Sequence, residues 1–248
     1  MNADSRCGKA AVDEHLAQIG QRVGLVGDVL GLGMVTAVYF MTKHTSNSPK
    51  KLPLFIIGTM TNQPHPDVPQ QLETERLLIR CPQPGDGAAL YDAIVTSKDH
   101  LAAWLTWANW PNISLKRAEA SILRNRDRYL RGEDMTMLIF LKGTGELVGG
   151  SGLHNPDWKV PKFEIGYWQH VAHSGQGYMT EAVNAIAELA FSQLGAKRLH
   201  LECYPHNERS IGVARRCGFQ LEARLVNYRR HHQTGQLHDW LIFARFPR

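Results

Sequence analysis

From residue 72 onward, apolar and polar positions recur in two distinct periods, and the switches between them mark out the elements. Arg76-Leu77-Leu78-Ile79-Arg80 reads as a short strand stopped by Pro82 and Pro84, and Asp86 is placed to cap a helix reaching about Ser97. Residues 117–131 repeat apolar positions at helical spacing, whereas 135–141 and 147–153 read as two strands joined by the turn Lys142-Gly143-Thr144-Gly145. Residues 163–168 predict a fourth strand, 180–193 a long helix, 198–204 a fifth strand, and 208–217 a helix closed by Gly218 just past its end. Two last strands are expected near 221–226 and 237–244. The order β-α-α-β-β-β-α-β-α-β-β predicts an α/β (α+β) domain, a mixed sheet of about seven strands with helices against its faces.

Residues 1–70 follow no such period. They hold a Gly/Val-rich run at 23–41, a Ser/Lys/Pro patch at 46–53 and a Pro-rich approach to Gln70. The run at 23–41 has the length of a membrane span, but it carries Asp28 and several glycines and has no basic flank, which weighs against an anchor. Residues 1–70 are therefore expected to be a poorly ordered extension, or upstream read-through if translation starts at Met60, with residues 71–248 as the folded domain.

Composition narrows the class without choosing a chemistry. With 43% hydrophobic and 21% charged residues among 248, the chain is globular in character. The formal charge of +5 suits an anionic ligand, yet no Lys/Arg run is dense enough for a nucleic-acid arm. Cys7, Cys81, Cys203 and Cys217 form neither a CxxC pair nor a disulfide framework, as in a reducing cytoplasm. Cys203 and Cys217 sit in apolar patterns and read as packing residues. His154, His170, His173 and His206 fall near the segment discussed next, but no pair has metal-ligand spacing, and no metal is predicted.

That segment runs from Tyr167 to Ala182 and joins a predicted strand to a predicted helix. Gly175 and Gly177 can bring backbone N–H groups close to a ligand, and the helix points its positive dipole end into the same space, an arrangement suited to a diphosphate. On these grounds alone a plain tight turn fits as well.

The segment resembles the acetyl-CoA loop of the GNAT acetyltransferase superfamily, whose pattern is Gln/Arg-x-x-Gly-x-Gly/Ala. Gly175-Gln176-Gly177-Tyr178 and Thr180-Glu181-Ala182 are similar to its RimJ/RimL branch, while Ser174 and Met179 depart from the preferred Gln/Arg and small residue. The resemblance extends to Leu72-Glu73-Thr74-Glu75-Arg76-Leu77-Leu78-Ile79-Arg80, to His100-Leu101-Ala102-Ala103-Trp104-Leu105-Thr106-Trp107, and to Asn207-Glu208-Arg209-Ser210 leading to Gly218-Phe219. It covers residues 72–246. It implies a GNAT fold with a mostly antiparallel sheet and splayed fourth and fifth strands, and acetyl-CoA as co-substrate. The implied activity is acetyl transfer to an amine, either a protein N-terminus such as that of a ribosomal protein or a small amine. A non-catalytic acyl-CoA-binding module is the other class of reading.

The resemblance also implies roles. Backbone from Trp168 through Gln169 and His170 to Val171 would hold the thioester carbonyl. Ser174, Gly175, Gln176, Gly177, Tyr178, Met179 and Thr180 would hold the diphosphate, with Asn207 a further cofactor-binding candidate and Ser210 near the sulfur. Glu202 and Glu164 each alternate with apolar neighbours and are alternative bases, since a carboxylate beside apolar walls accepts a proton more readily near neutrality. Glu202 lies in a stretch similar to Leu-Glu-x-x-x-x-Asn, where the RimI branch carries its base. Ser210 would protonate the leaving thiolate or help complete the first helical turn after Asn207. The tyrosine used as acid in other branches falls at Ala214, and Arg229 stands where RimL-like members carry an acidic residue. Trp104, Trp107 and Trp110 line an acceptor pocket or anchor the core, and Tyr228 is a further acceptor-side candidate. Monomer and homodimer both fit.

Overall fold

The computed structural model describes residues 67–109, 113–231 and 234–248. The expectations for residues 1–66 and for Trp110 lie outside them. A single sheet runs in the order β1-β2-β3-β4-β5-β6-β8-β7, with β1 at Gln71–Glu73, β2 at Leu77–Arg80, β3 at Met135–Leu141, β4 at Leu147–Asp157, β5 at Lys162–Gln169, β6 at Arg198–Cys203, β7 at Gln220–Arg230 and β8 at Leu237–Arg245. Every neighbouring pair is antiparallel except β5 and β6. The described residues form eight strands rather than about seven because residues 71–73 fold back on β2, too short a run to display a period. The expected fourth and fifth strands are β5 and β6.

Five helices accompany the sheet among the described residues: α1 (Gly87–Thr96), α2 (Lys98–Ala102), α3 (Leu115–Leu130), α4 (Tyr178–Ser192) and α5 (Glu208–Arg216). Met179, Ala182, Val183, Ile186, Ala187 and Ala190 form one stripe of α4 and are all buried. That stripe packs on Ile79, Met137, Ile139, Phe163, Ile165, Leu199 and Leu201 in the larger apolar core. Leu138 and Phe140, the intervening positions of β3, face the opposite way onto Leu90, Ile94 and Ile122 of α1 and α3. The two-residue alternation of β3 thus puts helices on both faces.

Asp86 occupies the position before α1 but does not cap it. Its carboxylate instead grips the Arg80 guanidinium through two bonds of 2.7 Å and accepts the Gln83 N–H at 2.6 Å. The amides of Gly85 and Gly87 donate to Glu119 of α3 at 2.8 and 2.9 Å, so a tertiary contact supplies the local cap. At α3 the cap is conventional: Ser114 accepts the Arg117 N–H at 3.3 Å.

Candidate active site

The parallel pairing of β5 and β6 extends only through Lys162–Arg198, Phe163–Leu199 and Glu164–His200. Beyond Glu164, β5 stays paired with β4 as far as Gln169, and β6 stays paired with β8 as far as Cys203. The two strands part, and a cleft of about 600 Å³ opens between them. Strand alternation sorts its walls. Phe163, Ile165, Leu199, Leu201 and Cys203 turn toward α4 and α5, and Glu164, Trp168 and Glu202 toward the other face.

The loop after β5 sits at the mouth of this cleft. A short 3-10 turn, Val171–His173, leads to Gly175 and Gly177, both at φ 80°, a left-handed conformation that favours glycine. Gly177 is the residue before α4, and the Glu181 N–H to Gly177 carbonyl bond of 3.0 Å is the first of the helix. The N–H groups of Tyr178, Met179 and Thr180 precede it and have no intrahelical acceptor, so the positive helix end presents its donors at the mouth. Ser174, Gly175 and Met179 line the cleft. Gln176 folds back on the Ala172 carbonyl at 3.3 Å, and Tyr178 lies under the Arg76 guanidinium at 4.5 Å. Arg216 reaches in from α5, its Nε donating to Thr180 Oγ1 at 3.1 Å, and brings a cation to the loop that Ser174 does not supply.

The loop is tied down from the far side of the sheet. Arg76 donates to Glu181 at 2.7 Å and to the Gln176 carbonyl at 3.1 Å, while Thr74 Oγ1 bonds Glu181 at 2.5 Å. Burial pushes the Glu181 carboxyl up, but the hydrogen bonds from Thr74 and Arg76 outweigh it and hold the group below its ordinary value. Arg76→Ala is expected to raise the KM for acetyl-CoA about threefold to tenfold with kcat unchanged. The lower end reflects the exposure of the pair. Steady-state kinetics with varied acetyl-CoA check this.

Of the backbone expected to receive a carbonyl, part is already committed. The His170 N–H donates to the Val148 carbonyl of β4 at 2.8 Å, and the Val171 N–H to Ser97 Oγ at 2.9 Å. Because N–H directions alternate along a strand, the amides of Tyr167 and Gln169 turn to the opposite edge, toward the parted β6. The His170 and Val171 amides are thus taken, and those of Tyr167 and Gln169 are the ones in this stretch that face the parted edge. Trp168 lies edge-on to Trp107, with ring centroids 5.9 Å apart. Burial, reinforced by the His173 charge, lowers the pKa of His170, whose Nδ1 accepts the Ala172 N–H at 3.0 Å.

On the α5 side, Asn207 accepts the Ser210 N–H at 3.1 Å and so performs the cap itself. The Ser210 side chain is released from that duty. Its Oγ lies 2.9 Å from the Tyr167 hydroxyl, which also reaches the Ser210 carbonyl at 3.0 Å. Burial pushes the neighbouring Cys203 thiol up to about 11, only partly offset by a hydrogen bond with Ser210, which suits a packing role.

Glu164 and Glu202 both line the cleft, in different company. Glu202 Oε2 accepts Trp240 Nε1 at 2.7 Å and Arg229 at 3.4 Å, with the Arg229 guanidinium stacked 4.3 Å above the Trp240 ring. Glu164 Oε2 accepts Asn155 Nδ2 at 2.8 Å. Trp104 tilts against Tyr204 and His206 at 6.3 and 5.4 Å and lines the cleft with Trp107. Tyr228 does not line it, being 56% exposed on β7. Tyr167 was not singled out from the sequence. The available signal was its hydroxyl at a position in step with Phe163 and Ile165, where the alternation calls for an apolar residue.

A strand pair opening beside the amino end of a helix, with glycines ahead of that helix, is the arrangement implied by the resemblance to the GNAT superfamily. The acetyltransferase (GNAT) domain model matches residues 76–220, and the chain belongs to this family as an N-acetyltransferase. Among curated proteins it is 32% identical over 176 residues to the "Putative ribosomal N-acetyltransferase YdaF" of Bacillus subtilis, spanning 70% of this chain and 93% of that protein. It is 30% identical over 137 residues to the ribosomal-protein-serine acetyltransferase of Escherichia coli, spanning 55% of this chain and 74% of that one. Among solved structures, the ribosomal L7/L12 α-N-protein acetyltransferase RimL in complex with coenzyme A superposes with a TM-score of 0.65 at 24% identity, covering 72% of this chain and 97% of RimL. That last likeness establishes the fold. No helix among the described residues is long and apolar enough to cross a membrane.

Proposed function

We propose that the chain transfers the acetyl group of acetyl-CoA to the α-amino group of a protein N-terminus, of the ribosomal-protein kind for which its relatives are named. The observation that carries this reading is the parted β5–β6 edge, which leaves strand amides and the amino end of α4 facing one cleft. Residues 71–248 are the catalytic unit. The diphosphate rests on the amides of residues 175–180 with Arg216 beside them, and the thioester carbonyl takes a hydrogen bond from the Gln169 N–H as it gains negative charge. The acceptor enters past Trp104, where Glu164 removes a proton from the attacking nitrogen directly or through water. The N–C bond forms, the C–S bond breaks with its electron pair going to sulfur, and Ser210 donates to the departing thiolate.

An acceptor panel tests this. Thiol release from acetyl-CoA is measured over peptides with ribosomal-protein N-termini and over small amines, with mass spectrometry locating the acetyl group. Turnover on peptides at the α-amino nitrogen is expected. Turnover confined to polyamines or amino-acid conjugates would replace the acceptor assignment, and none on any amine would overturn the transfer reading.

A further inference from the structure

We propose that Tyr167 is a positioning residue for acetyl transfer, fixing through its hydroxyl the Ser210 group that meets the leaving sulfur. The inference rests on the reading of Ser210 given above.

The two residues are 43 positions apart and come from opposite walls of the cleft, Tyr167 from β5 and Ser210 from α5. Both line the cavity, at the place where the strands have parted. Hydrogen-bond bookkeeping limits what they can do. The Ser210 amide is spent on Asn207, and its carbonyl can only accept. Tyr167 has one proton to share between that carbonyl at 3.0 Å and Ser210 Oγ at 2.9 Å. When Tyr167 donates to Oγ, the Ser210 proton is turned away from the tyrosine, toward the Cys203 sulfur in the resting site and free to swing to a thioester sulfur in the cleft. A hydroxyl that accepts one hydrogen bond also becomes a stronger donor in the next.

Tyr167 does not itself give up a proton. Burial, only partly countered by the Ser210 hydrogen bond, pushes its pKa well above the ordinary tyrosine value, so a tyrosinate there is unfavourable. The ledger is then closed without it. As the C–S bond breaks, its electron pair goes to sulfur, sulfur accepts the Ser210 hydrogen bond, and the proton it takes up is relayed through Ser210 from solvent. The proton lost by the amine leaves through Glu164 or water. Tyr167 begins and ends the cycle protonated, which separates a positioning role from an acid role.

A double-mutant cycle decides the matter. Ser210→Ala is expected to lower kcat by about tenfold or more, in the range of one hydrogen bond to a charge developing in the transition state. Tyr167→Phe, which keeps the ring and removes only the hydroxyl, is expected to lower kcat by a comparable factor with the KM for acetyl-CoA within about twofold of wild type. Tyr167→Phe/Ser210→Ala should be no slower than Ser210→Ala alone, because the tyrosine acts only through the serine. Multiplicative losses in the double variant, or a Tyr167→Phe enzyme with wild-type kcat while Ser210→Ala is impaired, would overturn the proposal and leave the Ser210 assignment standing. A fully active Ser210→Ala enzyme would remove the Ser210 assignment and this proposal together, with acetyl transfer itself untouched. If Tyr167→Phe folds poorly, as judged by circular dichroism and Tm, Ser210→Thr serves instead. It retains the hydroxyl that Tyr167 addresses, so it should preserve kcat where Ser210→Ala does not, and equal impairment of the two would overturn the proposal.

Discussion

Gly177→Val is expected to remove most of the affinity for acetyl-CoA, with the dissociation constant rising about tenfold or more by isothermal titration calorimetry. Gly177 is held at φ 80° as the residue before α4. A β-branched residue in that conformation is strained by roughly 1–2 kcal/mol, and the chain relieves the strain by rotating the peptide planes that follow. Those planes carry the N–H groups of Tyr178 and Met179. The added Cβ would meet only the end of the Arg76 side chain, at 3.5 Å, so the loss comes from the backbone rather than from a clash in the core. A control separates binding from stability. Gly218, beyond the carboxyl end of α5, has φ 77° and open space where a Cβ would stand. Gly218→Val should therefore lower Tm to a similar degree yet bind acetyl-CoA as wild type does. Equal affinity in the two variants would show that the amides of this loop do not hold the diphosphate.

The same contrast, between what neighbouring residues decide and what distant ones decide, governs how much was readable from the sequence. The stripe of α4 and the alternation of β3 are local periods, so the four longer helices and the seven longer strands followed from local signals, whereas the five-residue α2 is too short to show one. Gly175 and Gly177 stood out as well, but their spacing alone fitted a plain turn, and their assignment to a diphosphate came from the resemblance rather than from a local period. Asp86 shows the limit. Its place before an apolar run predicts a cap, but Arg80 offers a stronger partner and Glu119, from a helix more than thirty positions away, takes over the capping. Glu202 was legible as a cleft carboxylate, while its engagement by Trp240, 38 positions on, was not. Nor were the Tyr167–Ser210 pair or the hold of Arg76 on the loop, both of which depend on sheet order. Tyr228 lies beyond the register shift between Leu225 and Arg229, which breaks the alternation from which its facing would be read.

That difference in company is what makes the two carboxylates separable by experiment. Glu164→Gln is expected to lower kcat about 100-fold, the scale of a general base, with little change in KM for either substrate. Asn155 holds only Oε2 of Glu164, leaving the other oxygen for the acceptor's proton, and glutamine preserves the size of the group while removing its basicity. Glu202→Gln should behave differently. The glutamine oxygen still accepts Trp240 Nε1, so the wall of the cleft survives, but the charge that draws Arg229 is gone. The Arg229 side chain, 52% exposed with its guanidinium stacked on Trp240, is then free to shift toward the acceptor path. The expected result is a kcat within about fivefold of wild type and a changed acceptor KM, the signature of altered binding rather than lost chemistry. Steady-state kinetics at saturating acetyl-CoA distinguish the cases. If Glu202→Gln proves to be the inactive enzyme and Glu164→Gln the active one, the base is the carboxylate paired with Arg229, and the oxygen of Glu202 turned away from Trp240 must be the one that meets the amine.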